Sequence, residues 1–138
     1  MNDQSESGED QCRELTECIL ACAFDVHARL GPGLLESTYR SCLMHRLRKE
    51  GLPVDDEVPV SIRFDEIEIG TAYRADLVVA RKVLLELKSV ERLLEIHCPQ
   101  TRTYLKHSGL EVALLLNFNV RSLVNGIRRF RRRGSPPS

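Results

Sequence analysis

Tyr73-Arg74-Ala75-Asp76-Leu77-Val78-Val79 and, after a break at Arg81-Lys82, Val83-Leu84-Leu85-Glu86-Leu87-Lys88 decide how this chain is read. β-Branched and leucine side chains dominate both runs, which argues for two strands joined by a tight turn. Side chains two apart on a strand share a face. Glu86 and Lys88 therefore point the same way as Leu84, while Val83, Leu85 and Leu87 face the other way into a core. An ionised group inside such an apolar run is costly unless it is paired or bound to a metal. Asp76, Glu86 and Lys88 either satisfy one another or make a site.

Outward from this pair, the strand ending at Val79 begins near Ile67, with a bend near Gly70, and Asp65-Glu66 turns it back from an earlier strand. In that earlier strand Val58, Val60, Ile62 and Phe64 alternate with Pro59, Ser61 and Arg63, and Pro59 suits an edge or a strand start. Two amphipathic helices precede the strands. The first runs from about Gln11 to Leu30, with Leu15, Cys18, Ile19, Cys22, Val26 and Leu30 at three- and four-residue steps. Gly31-Pro32-Gly33 ends it, and the second helix runs from about Leu34 to Lys49, stopped by Gly51. After the central pair, Pro99 opens a helix that Gly109 closes. Leu110 to Phe118 is almost wholly apolar, as in a strand buried on both faces, and Val120 to Arg133 is a short helix or a final strand.

The order α-α-β-β-β-α-β describes an α/β domain, a mixed sheet flanked by helices. At 138 residues, 42% hydrophobic and 29% charged, the chain reads as one globular domain over residues 11–133, with disordered tails at 1–10 and 134–138. Net charge is zero but segregated: residues 1–17 hold six acids and one Arg, whereas residues 121–133 hold six Arg and no acid. Such a basic end attracts phosphates or simply aids solubility. Five cysteines without a C-x-x-C pair suggest neither a disulfide framework nor a zinc ribbon, and a reduced, cytoplasmic compartment is expected. No signal peptide or long apolar run is visible, so no membrane partner is expected. His97 and Cys98 lack further ligands at matching spacing, and the glycines at 31 and 33 lack the Lys and Ser/Thr of a P-loop.

Gly33-Leu34-Leu35-Glu36-Ser37-Thr38-Tyr39 resembles the naming motif of the GxxExxY proteins, a branch of the PD-(D/E)XK nuclease-like superfamily. The resemblance extends through His27, Leu30-Gly31-Pro32-Gly33, Tyr73-Arg74-Ala75-Asp76, Glu86-Leu87-Lys88, Gln100 with Tyr104, and Asn117-Phe118-Asn119. It implies a restriction-endonuclease-like core and a divalent cation, Mg2+ or alternatively Mn2+, held by Asp76, Glu86 and the Leu87 carbonyl. It further implies that Lys88 handles the attacking water and the phosphate charge, with Glu36 as an outer carboxylate. Three carboxylates against one ammonium leave a charge of minus two, which one divalent ion neutralises. Gln100 and Tyr104, an i,i+4 pair on one helix face, match a motif that positions DNA in related exonucleases.

Each assignment has a plainer counterpart. Asp76, Glu86 and Lys88 could form a structural ion-pair cluster, and Glu36 could pair with Arg40 at i+4. Tyr39 suits the core as well as a substrate pocket, and His27 could line that pocket or satisfy a neighbour. Two functions are therefore carried forward: a metal-dependent phosphodiesterase acting on nucleic acid, DNA ahead of RNA, and a catalytically silent module that forms a homo-oligomer or binds a partner.

Overall fold

The computed structural model describes residues 4–132, so residues 1–3 of the tail expected at 1–10 and the whole tail expected at 134–138 lie outside the described residues. Helix α1 spans Gln4–Leu30 and α2 Glu36–Lys49; strands β1 Val54–Phe64, β2 Ile67–Val79 and β3 Val83–Lys88 follow. Helix α3, His97–Ser108, then leads to β4, Val112–Asn117, a single 3-10 turn at Leu123–Gly126, and β5, Ile127–Arg131. The chain end thus forms both a helical turn and a strand. Helix α1 begins at Gln4 instead of near Gln11. A polar stretch carries no burial signal, yet lengthening an existing helix adds one hydrogen bond per residue without a new nucleus.

The five strands lie in the order β1-β2-β3-β4-β5. Every pair is antiparallel except β3 with β4, whose parallel register sets Glu86 beside Leu115 and Lys88 beside Asn117. A parallel pair needs a crossover, and α3 supplies it. The β2–β3 turn is tight, as the Arg81-Lys82 break suggested: Ala80 and Arg81 both take positive φ, and the Lys82 N–H closes on the Val79 carbonyl at 3.0 Å.

Helices α1 and α2 cover one face of the sheet, packing Ile19, Cys22, Tyr39, Leu43 and Leu47 on Leu77, Leu85, Leu87, Leu114 and Leu116. Helix α3 covers the other, where Leu105 meets Leu84, Ala113, Leu115 and Phe130. The four cysteines in or beside these cores are free, Cys12 and Cys22 being buried as small hydrophobes. The hairpin of β1 and β2 does not keep to one face. Val54 packs on the α1/α2 side but Val58 and Val60, an even number of residues later, pack on the α3 side. On β2, Tyr73 and Ala75 lie on the α3 side while Leu77 and Val79 lie on the α1/α2 side. The two strands turn over together at Glu57 and Asp76, where Glu57 takes a left-handed φ of 47°. No helix among the described residues is long and apolar enough to cross a membrane.

Candidate active site

At the turnover, the β2–β3 ladder stops. Its last pairing is Leu77 with Leu85, so Asp76 and Glu86 are the next residues along and their side chains take over the main-chain groups. The Leu87 N–H donates to Asp76 Oδ2 at 2.7 Å, and the Asp76 N–H faces the Glu86 carboxyl. N–H and C=O of one residue leave the same edge of a strand. The Leu87 carbonyl therefore opens toward Asp76 as well. Glu86 Oε1 is buried without any hydrogen-bond partner, in a residue only 7% exposed.

Both acids are raised above the ordinary carboxylate range. Burial, followed by the charge of Asp76, pushes the Glu86 carboxyl up to about 8; the Asp76 N–H and the Lys88 ammonium oppose that rise, and Glu36 adds to it. Asp76 is raised by burial, against the Leu87 N–H, Arg40 and Lys88, with Glu57 adding to the rise. Asp76, Glu86 and Lys88 thus share one corner of the sheet, with Glu36 near enough for its charge to act on Glu86. Glu36 itself is exposed on the first turn of α2.

The tertiary structure gives Arg40 other partners than Glu36. Its guanidinium lies 3.3 Å from Glu57 Oε1 and 3.8 Å from Asp76 Oδ1. Glu57 stands opposite Asp76 in the hairpin, between the pairs Asp56–Leu77 and Val58–Ala75. Neither residue was visible as a site member from spacing. The i+4 step from Glu36 placed Arg40 on the right face of α2, but nothing in the sequence marks Glu57 for a left-handed backbone.

The surrounding frame is built from residues of the same motifs. Asn117 is buried and accepts the N–H groups of Val90 and Asn119 on Oδ1 while donating Nδ2 to the Val90 carbonyl, which fixes the chain beyond Lys88. Ser89 Oγ donates to the Leu34 carbonyl at 2.5 Å and ties the end of β3 to the loop before α2. Tyr39 and His27, each read as either a substrate contact or a structural group, have their partners in this frame. Tyr39 is wholly buried; its ring stacks on Phe118 with centroids 4.7 Å apart, and its hydroxyl donates to the Gly31 carbonyl while accepting the Leu34 N–H. His27 is buried and donates Nε2–H to the Val120 carbonyl at 2.7 Å. Both side chains fill the Gly31–Leu34 bend and the end of β4 because those main-chain groups need partners away from water.

On the α3 side, Gln100 is exposed and Tyr104 half-buried. Tyr104 stacks on Tyr73 with centroids 3.7 Å apart, and the Tyr73 hydroxyl donates to the Tyr104 carbonyl. One face of the Tyr104 ring is therefore already occupied. The Tyr73 hydroxyl is raised by burial and by the charges of Glu86 and Tyr104, which brings this tyrosine pair to the edge of the acidic corner.

The donor set suits a hard cation: two carboxylates, one of them with an orphaned oxygen, and a main-chain carbonyl beside them. Magnesium takes such oxygens and keeps several waters, so it does not require a closed protein cage. No group of three or more His, Cys, Asp or Glu converges as a ready-made ligand set among the described residues. A family model of the PD-(D/E)XK nuclease superfamily matches residues 13–130. Searches of curated proteins and of solved structures found no match.

Proposed function

Because the chain belongs to the PD-(D/E)XK nuclease superfamily, we propose that it is a divalent-metal-dependent nuclease that hydrolyses phosphodiesters, in DNA ahead of RNA. Gly33, Glu36 and Tyr39 favour its GxxExxY branch. The observation that carries the reading is the orphaned Glu86 Oε1, buried beside a second raised carboxyl and an ammonium. A purely structural ion-pair cluster would satisfy that oxygen; a ligand site leaves it open.

Asp76, Glu86 and the Leu87 carbonyl are assigned to hold Mg2+ or Mn2+. Bound there, such an ion would supply Lewis acidity toward a phosphate and lower the pKa of a coordinated water. Glu86, whose carboxyl burial pushes up to about 8, would have to release its proton to hold such an ion, so affinity should rise with pH. Lys88 donates a hydrogen bond to the attacking water or to a phosphate oxygen from the β3 side. Glu36 closes the acidic corner from the first turn of α2. Gln100 is the polar contact to a strand on the α3 side, with Tyr104 braced from behind by Tyr73. The basic β5 end, including exposed Arg128 and Arg129, attracts the backbone, so binding weakens with salt.

The test is purified protein on linear, nicked and single-stranded DNA, and on RNA, with Mg2+ or Mn2+. Cleavage should disappear in Glu86→Gln and Lys88→Ala. Cleavage that persists in both variants rejects these assignments.

One feature favours the second reading, a self-assembling module. The hairpin beyond Val60 and Tyr73 runs past β3, which pairs only with Leu77–Val79. On this ribbon Ile62 faces Ile69 and Phe64 faces Ile67, and the last three are 49%, 68% and 59% exposed respectively. An isolated two-stranded ribbon is marginal in water, and a second copy of the chain would cover its apolar face. Size-exclusion chromatography with light scattering decides it, a monomer at micromolar concentration counting against assembly.

A further inference from the structure

Two arginines on α2 are held by pairs of carboxylates, and they are held differently. Arg46 bridges Asp25 at 2.9 Å and Glu50 at 2.7 Å, the short distances of charge-assisted bonds that fasten α1 to α2. Arg40 bridges Glu57 at 3.3 Å and Asp76 at 3.8 Å, too long for locked pairs. Its side chain keeps 27% of its surface accessible. Arg40 is tethered rather than fastened, and its planar fork of five N–H donors retains capacity beyond those two contacts.

The tether has been built at a conformational cost. Glu57 takes φ of 47° inside a strand, a region that any side chain with a Cβ resists. That same residue marks where β1 and β2 turn over, and its carboxylate points at Arg40 from across Asp76. Backbone outliers of this sort cluster where a fixed group must be presented to a ligand.

We propose that Arg40, aimed by Glu57, is a phosphate-binding residue of the nucleic-acid site, and that the left-handed turn of β1 places the carboxylate that aims it. This rests on the nuclease reading given above. Lys88 approaches the acidic corner from β3 and Arg40 from α2, so a phosphate entering between them meets a cation on either side. A phosphodiester is an anion arriving beside Asp76, Glu86, Glu36 and Glu57. Without Arg40 its entry from the helix side is opposed by carboxylates alone. Glu57 is a positioning residue for the phosphate contact, which it reaches through Arg40.

The experiment is fluorescence anisotropy of a labelled DNA oligonucleotide with the full chain in Ca2+, across a salt series. Arg40→Met should weaken binding on the order of tenfold. It should also lower the steepness of log affinity against log salt by about 0.7–0.9, the value of one lost phosphate contact. Arg40→Lys should keep the salt slope while losing several-fold in affinity, because the charge remains and the fork is gone. Glu57→Gln should lose affinity with the slope retained. Circular dichroism melts identify an unfolded variant; if Arg40→Met is unfolded, Arg40→Lys decides, and unaltered affinity there overturns the proposal. A folded Arg40→Met with the wild-type slope overturns it as well, while leaving the nuclease reading intact. Wild-type protein that does not bind DNA or RNA at low salt overturns both.

Discussion

Glu86 should make the metal-free protein lose stability as pH rises, and Glu86→Gln should remove its share of that loss. In the unfolded chain this carboxyl titrates near 4.5, whereas in the folded chain it is pushed up to about 8 by burial and by Asp76. Between those values the folded state holds a proton that the unfolded state has released. Stability therefore falls as pH increases through this window and levels off above it. At about 1.36 kcal/mol per pH unit, the loss is on the order of 3–5 kcal/mol between pH 5 and pH 8.5, the lower end applying if water relaxes into the corner. Glutamine keeps the shape without the ionisation. Its amide leaves polar atoms short of partners, costing about 1–2 kcal/mol at pH 5. The two stability curves should then cross, the variant being the weaker protein at pH 5 and the stronger at pH 8.5. Urea denaturation in EDTA from pH 5 to 9 measures both curves. Adding Mg2+ at pH 8.5 should restore the wild type and leave the variant unmoved, since only a ligand bound to the native state stabilises it. Curves that run parallel in pH would show that Glu86 is ordinary in the folded chain, and the argument for an ion beside it would go with them.

Asp76→Ala removes the acceptor of the Leu87 N–H and should cost about 1–3 kcal/mol in denaturation, whereas Asp76→Asn keeps an amide oxygen there and should retain the fold while losing cleavage. Gly126→Ala would set a Cβ 2.2 Å from the Asn117 carbonyl oxygen, a main-chain atom that cannot swing aside; a loss of about 3 kcal/mol or more is expected in a thermal or urea melt. Tyr39→Phe keeps the stack on Phe118 but drops two main-chain bonds, so stability should fall by about 1–3 kcal/mol with nucleic-acid affinity unchanged in the folded protein. A fall in affinity without a fall in stability would return Tyr39 to the substrate surface.

The composition of single segments was enough for most of the fold. The apolar runs at Val83–Leu87 and Leu110–Phe118, the alternation in Val58–Phe64 and the helical steps of α1 and α2 each state their element through local periodicity, and Glu86 and Lys88 sharing a strand face follows from the pleat alone. Periodicity records which side chains are buried, so it was silent where burial does not decide: the polar start of α1, and the chain end that holds a 3-10 turn and then β5. For the same reason it left Tyr39 and His27 open between pocket and frame. Their types suit a pocket, but the carbonyls and N–H groups they satisfy lie up to 93 residues away in the chain. The convergence of Asp76 with Glu86, the tether from Glu57 to Arg40 and the brace of Tyr73 on Tyr104 are likewise products of folding. Each depends on where β1 and β2 turn over, and that is set by packing against opposite faces of the sheet, a balance among residues far apart in sequence that no local pattern encodes.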